Sequence, residues 1–145
     1  MVRSQTKVNR NIIEAGKNLK IIGRAGVGVD NIDVNSATEK GIIVVNSPDG
    51  NTIAASEHTI ALMLAISRNI VPASQSTKEG KWNRDAFTGT ELFGKTLGVM
   101  GFGRIGRKVV NIALAIGMKV IVYDPFANEE TVIKKGALYE TSLDN

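Results

Sequence analysis

An α/β fold built on parallel strands is predicted by three features of this chain. Short apolar runs alternate with helix-like segments along its length, and glycine punctuates most of the turns between them. From Thr96 to Asp124 the order is apolar run, glycine turn, helix-like segment, apolar run, acid. There Leu97, Val99 and Met100 lead into Gly101-Phe102-Gly103-Arg104-Ile105-Gly106, and Val120-Ile121-Val122-Tyr123 ends on Asp124. A dinucleotide-binding βαβ unit requires this order.

Each glycine of the turn has a physical task. Gly101 lets the chain turn sharply, Gly103 has no Cβ to hold backbone N–H groups away from a pyrophosphate, and Gly106 lets the helix lie close to the strand. The helix N-terminus aims unpaired N–H groups and a positive dipole end at that phosphate. Asp124 falls 18 positions after Gly106, near the spacing of a carboxylate that accepts the adenosine ribose hydroxyls. A carboxylate repels a 2′-phosphate, so the cofactor expected is NAD rather than NADP.

The 145 residues are 43% hydrophobic and 22% charged, ordinary for a globular protein. The longest apolar-rich segment, residues 60–66, falls well short of the roughly 20 residues of a membrane helix. The opening MVRSQTKVNR lacks the apolar core of a signal peptide, which leads to the expectation of a cytoplasmic protein without a membrane partner. No cysteine is present and His58 is the only histidine, so neither a disulfide nor a zinc constellation is expected. The net charge of +4 is scattered, without a basic stripe interleaved with aromatics. That argues against nucleic acid and for a solvated surface that welcomes small anions.

Along the chain, Met1 to Ser4 read as the end of a strand. Asn9 is expected to cap a helix over 10–16, with Ile12, Ile13 and Leu19 on its buried side. A strand over 20–23 runs into the turn Arg24-Ala25-Gly26-Val27-Gly28. Asp33 caps a second short helix to about Lys40, ended by Gly41. A third strand over 41–45 is stopped by Ser47-Pro48, and the strand–helix alternation implies a parallel sheet covered on both faces. Pro48-Asp49-Gly50-Asn51 is the best internal boundary. Thr52 then caps a long helix carrying Ile53, Ile60, Leu62, Met63, Leu64 and Ile66 around much of its circumference, so more than one face should be buried. Pro72 is expected to interrupt it, with a weaker helix resuming to about Glu79. Residues 81–91 read as polar loop anchored by Trp82 and Phe87. After the βαβ unit come a helix over 128–135, a short strand over 136–139 and the start of another helix at Ser142.

Two decoys accompany these signals. Gly89-Thr90-Glu91-Leu92-Phe93-Gly94-Lys95-Thr96 satisfies GxxxxGK[ST], the phosphate loop of nucleotide hydrolases. Such a loop needs a strand before it and a helix after it, whereas here a polar segment precedes and a strand follows. Gly26-Val27-Gly28-Val29-Asp30-Asn31 offers GxG without a third glycine, at a strand end where open α/β sheets bind ligands. It serves either as a tight turn or as a set of backbone donors for a substrate. His58 lies one turn into the long helix, where a packing or surface role is expected. Glu57 and Glu91 have no partner that the sequence identifies.

GFGRIG, YDP, GRAGVGVDNID, NSPDGNTIAASE and KWNRDAFTGTELFGKTLG, taken in order, resemble the D-isomer-specific 2-hydroxyacid dehydrogenases, above all the members acting on 3-phosphoglycerate. The resemblance covers essentially the whole chain. It implies part of a flavodoxin-like substrate domain over 1–47, followed over 48–145 by the first half of a Rossmann NAD-binding domain that opens with a dimerisation helix. It assigns Gly101, Gly103, Arg104, Ile105 and Gly106 to the pyrophosphate and Asp124 to the ribose. Arg3, Ser4, Arg24, Gly26 and Gly28 are assigned to an anionic 2-hydroxy acid, and Val27 to the nicotinamide end. Val27 departs from relatives that carry a hydroxyl there. The family's catalytic Arg, Glu and His come after the matched region, so no catalytic residue is expected here and the isolated chain is expected to be inactive. The whole protein would be an NAD-dependent dehydrogenase in serine biosynthesis and a homodimer or homotetramer. Alternatives are a glyoxylate or hydroxypyruvate reductase, or a non-catalytic NAD(H)-binding module.

Overall fold

The computed structural model describes residues 1–143 and divides into two compact units, Met1–Asn51 and the chain from Thr52 onward. The first unit contains helix α1 (Arg10–Ala15), strand β1 (Ile21–Arg24), helix α2 (Val34–Glu39) and strand β2 (Ile43–Asn46). Both helices begin as the sequence indicates. The Asn9 side chain accepts the Ile12 N–H at 3.2 Å, and Asp33 Oδ1 accepts the Ser36 N–H at 2.9 Å. Strands β1 and β2 pair in parallel, Ile21 opposite Ile43 through Arg24 opposite Asn46. Val2 makes a parallel bridge to Arg24.

The two helices cover the same face of this sheet, since Ile13 of α1 and Ala37 of α2 share one cluster with Val8, Ile22, Ile32 and Ile42. Ile21, Ile43 and Val45 on the opposite face are exposed, so among the described residues the sheet is covered on one face rather than two. Ile12 is also exposed. On a six-residue helix only one position, Ile13, reaches the core.

The second unit opens with α3 (Thr52–Ser67) and α4 (Ile70–Lys78). The break between them is at Asn69, which adopts a left-handed conformation with φ of 52°. Pro72 lies inside the first turn of α4, where its missing N–H costs nothing. The proline therefore marks a helix start, not the interruption expected from the sequence. The buried residues of α3 are Thr52, Ser56 and Ile60, a narrow stripe at four-residue spacing packed on α5. Ile53, Leu62 and Ile66 remain exposed. Trp82 is 81% exposed and anchors nothing, while Asp85–Phe87 form one 3₁₀ turn.

Strand β3 (Thr96–Met100), helix α5 (Arg104–Ala115), strand β4 (Lys119–Tyr123), helix α6 (Glu129–Lys134) and strand β5 (Leu138–Glu140) complete the unit. The sheet order is β3-β4-β5, all parallel. This βαβαβ arrangement is one mononucleotide-binding half of a doubly wound fold. Helix α5 buries Val110 and Ala113 in one cluster with Val120 and Val122 of β4, and Val132 of α6 joins the same core. Ser142 and Leu143 are not helical, and the rest of the helix expected from Ser142 lies outside the described residues.

Candidate functional site

The parallel register brings Met100 opposite Tyr123, so β3 and β4 end at the same level. Gly101 takes φ of 98°, a conformation open to glycine but strained for other residues, and its N–H donates to Tyr123 O at 2.8 Å. Gly103 is the N-cap of α5, carries no capping side chain, and has open space where a Cβ would stand. At Gly106 a Cβ would overlap the Gly101 carbonyl oxygen, so the first turn of α5 lies directly against the end of β3. Arg107 N–H makes the first bond inside the helix, to Gly103 O at 3.0 Å. A helix N-terminus carries the positive end of the helix dipole, which favours an anion.

Phe102, between the first two glycines, is clamped at three points. Its ring is buried in the core, its N–H donates to Asp124 Oδ2 at 2.6 Å, and its carbonyl accepts from Arg107 Nε at 2.9 Å. The Arg107 guanidinium also lies 5.1 Å from the centre of the Phe102 ring. Asp124 Oδ1 accepts the Phe126 N–H at 2.8 Å. The Phe102 N–H, then the Phe126 N–H, with a smaller contribution from the Arg107 charge, hold the Asp124 carboxyl below its ordinary pKa. Asp124 is therefore ionised at neutral pH, and each oxygen keeps lone-pair capacity for a further donor. The glycine turn and the acid thus form one hydrogen-bonded unit, to which Arg107 and Phe102 contribute as much as the glycines.

In the first unit, Arg3, Ser4, Arg24, Ala25, Gly26 and Val27 line a cavity of about 510 Å³ together with Ser47, Gly50 and Asn51. Val2 N–H donates to Gly23 O at 2.8 Å and Ala25 N–H to Val2 O at 2.9 Å, which sets Arg3 beside the loop after β1. Ser47 N–H donates to Gly26 O at 3.0 Å, and Asn46 Nδ2 to Val27 O at 2.6 Å, which ties the end of β2 to the same loop. Four of the five residues expected at the substrate, with Val27, are brought together. Gly28 does not line this cavity and packs beside Asp30. Ser47, Gly50 and Asn51 were legible only as a boundary turn. The signal that finds them is the parallel pairing of β1 with β2, which puts their two C-terminal loops side by side.

Thr96 begins β3, so Gly89–Lys95 feed a strand and no helix leaves from them. His58 is exposed on α3. Among the described residues no group of His, Cys, Asp and Glu is disposed to hold a metal, and no helix is long and apolar enough to cross a membrane.

Residues 1–140 match the sequence profile of the D-isomer specific 2-hydroxyacid dehydrogenase family, catalytic domain. The chain is 61% identical over 130 residues to a D-3-phosphoglycerate dehydrogenase of Synechocystis sp., covering 90% of this chain and 24% of that protein. It is 58% identical over 131 residues to a hydroxypyruvate reductase of Thermotoga maritima, covering 90% of this chain and 42% of that protein. Among solved structures, a D-lactate dehydrogenase of Aquifex aeolicus complexed with NAD and lactic acid superimposes with a TM-score of 0.86 at 33% identity. That likeness covers 97% of this chain and 42% of that one. The chain thus spans between about a quarter and less than half of the length of these relatives.

Proposed function

The chain belongs to the D-isomer specific 2-hydroxyacid dehydrogenases, and from that membership we propose that it forms part of an NAD-dependent enzyme oxidising the C2 hydroxyl of 3-phosphoglycerate to 3-phosphohydroxypyruvate. The observation that carries the cofactor reading is the hydrogen-bonded turn and acid at the ends of β3 and β4. The open side of Gly103 and the tight approach at Gly106 fit a pyrophosphate at the α5 N-terminus. An ionised Asp124 fits a ribose with free hydroxyls and disfavours a 2′-phosphate. Gly101, Gly103, Arg104, Ile105 and Gly106 would hold the pyrophosphate and Asp124 the ribose.

Bound NAD supplies the hydride acceptor. The residues of this chain bind and orient. Arg3, Ser4, Arg24 and Gly26 would receive the anionic hydroxy acid at the cavity of the first unit, where Ser47 and Asn51 join them by position, whereas Gly28 lies outside it. Two arginines lining one cavity favour a substrate with a second anionic group. Residues 1–47, with Gly50 and Asn51, would then serve the substrate and the unit from Thr52 onward the cofactor. The exposed apolar side chains of α3 suit the contact surface of a homodimer.

The identity to a hydroxypyruvate reductase favours a second reading, reduction of an unphosphorylated 2-oxo acid. Assaying the full-length protein with NAD and either 3-phosphoglycerate or glycerate separates the two. The proposal predicts faster reduction of NAD with 3-phosphoglycerate. Equal or better turnover of glycerate favours the reductase, and no turnover of either overturns both.

A further inference from the structure

We propose that Asn31 is a positioning residue for substrate binding, which holds Arg24 and the Arg3–Ser4 segment in the geometry that receives the second anionic group of the substrate. This role rests on the reading of the first-unit cavity given above. Asn31 follows the GxG loop and does not itself line the cavity. Its side chain nonetheless uses both its donor and its acceptor on the two segments that do. Asn31 Nδ2 donates to Arg3 O at 3.0 Å and to Thr6 O at 2.7 Å. Asn31 Oδ1 accepts from Arg24 Nε at 3.4 Å.

The backbone of Asn31 is fixed in turn. Its carbonyl accepts the Val8 N–H at 2.8 Å, and the Asp33 N–H donates to Val8 O at 2.8 Å. The amide is therefore presented from a braced position to chain that lies 25 to 28 residues earlier.

The bond to Arg24 has a visible consequence. The Arg24 guanidinium lies across Gly26, where a Cβ would overlap it, so the side chain runs over the loop. A free arginine has many rotamers, and ordering it when the substrate arrives subtracts from affinity. A side chain that has already chosen its direction avoids that loss. At Arg3 the bond fixes the backbone from which the side chain departs. An asparagine is suited to this task because it offers two donors and an acceptor in one plane. A carboxylate at the same place keeps the acceptor for Arg24 but sets an anion against two carbonyl oxygens.

The test uses the full-length enzyme with Asn31→Asp and Asn31→Ala. Both variants are expected to raise KM for 3-phosphoglycerate about tenfold, the cost of losing charge-assisted or multiple hydrogen bonds. KM for NAD and kcat at saturating substrate are expected to stay within about twofold. The preference for 3-phosphoglycerate over glycerate should fall about tenfold, because only the phosphorylated acid uses the second anion contact. A general loss of structure lowers both substrates alike, so an unchanged preference overturns the role, as does an unchanged KM. Should Asn31→Ala fail to fold, the isosteric Asn31→Asp carries the comparison. An active wild type whose variants behave like it sinks this role alone. A wild type that oxidises no 2-hydroxy acid sinks the functional reading and this role with it.

Discussion

The Asp124 carboxylate shapes the glycine turn by accepting the Phe102 N–H, and in the proposed function the same group receives a ribose. Replacing Asp124 with serine is expected to raise KM for NAD at least about tenfold and to narrow the discrimination against NADP, because the repulsion of a 2′-phosphate goes with the charge. Steady-state kinetics with both cofactors measure this; an unchanged cofactor ratio would remove Asp124 from the ribose site. The pH dependence follows from the direction of the shift. The Asp124 pKa is depressed below its ordinary 3.8, so the stabilisation it gives is fully present above the unfolded-state pKa and lost as pH falls through the lower folded value. NAD affinity should accordingly be flat between about pH 5 and 8 with respect to this group. A fall in NAD affinity centred near pH 6 that disappears in the Asp124→Ser variant would contradict the assignment. Phe102 stands where the glycine motif specifies no residue type, yet its ring is a core residue and its two backbone groups are both committed.

At the scale of elements, the close approach of α5 to β3 is the most sensitive joint. Gly106→Ala would drive a Cβ into the Gly101 carbonyl, and separating the two elements is expected to cost about 1–3 kcal/mol. Denaturant titration measures the loss; a stability equal to the parent would mean that the helix does not lie as described. Asn69→Ala, at the left-handed break between α3 and α4, should cost about 1 kcal/mol by the same method. The βαβ unit, the caps at Asn9 and Asp33, and the turn at 101–106 were legible because each is set by residues close in sequence. The break at Asn69 was not, since asparagine tolerates the left-handed region without advertising it, while Pro72 is acceptable in a first turn. Nor were Ser47, Asn51 and the Asn31 contacts, which depend on β1 and β2 pairing in parallel and on Val2 reaching β1. Local chemistry could be read from the sequence, whereas side chains brought together by strand pairing required the fold.

The molecule as a whole carries two separate cores, one around Ile13, Ile22 and Ala37, the other around Val110, Val122 and Val132. Large apolar side chains also lie outside both, with Ile66 77% and Phe126 96% exposed. The isolated 145-residue chain is therefore expected to self-associate with rising concentration, measured by light scattering, and Leu62→Glu with Ile66→Glu should reduce that association. A chain that stays monomeric at high concentration would show that α3 needs no cover. In the proposed function the second unit holds NAD at the ends of β3 and β4, and the first unit binds an anionic substrate at the loop after β1. The most direct test is the initial rate of nicotinamide reduction by the full-length protein with 3-phosphoglycerate, using NAD and NADP in parallel. Reduction of NAD is expected, with NADP at least about tenfold poorer in kcat/KM. No reduction of either cofactor by any 2-hydroxy acid, or a preference for NADP, would contradict it.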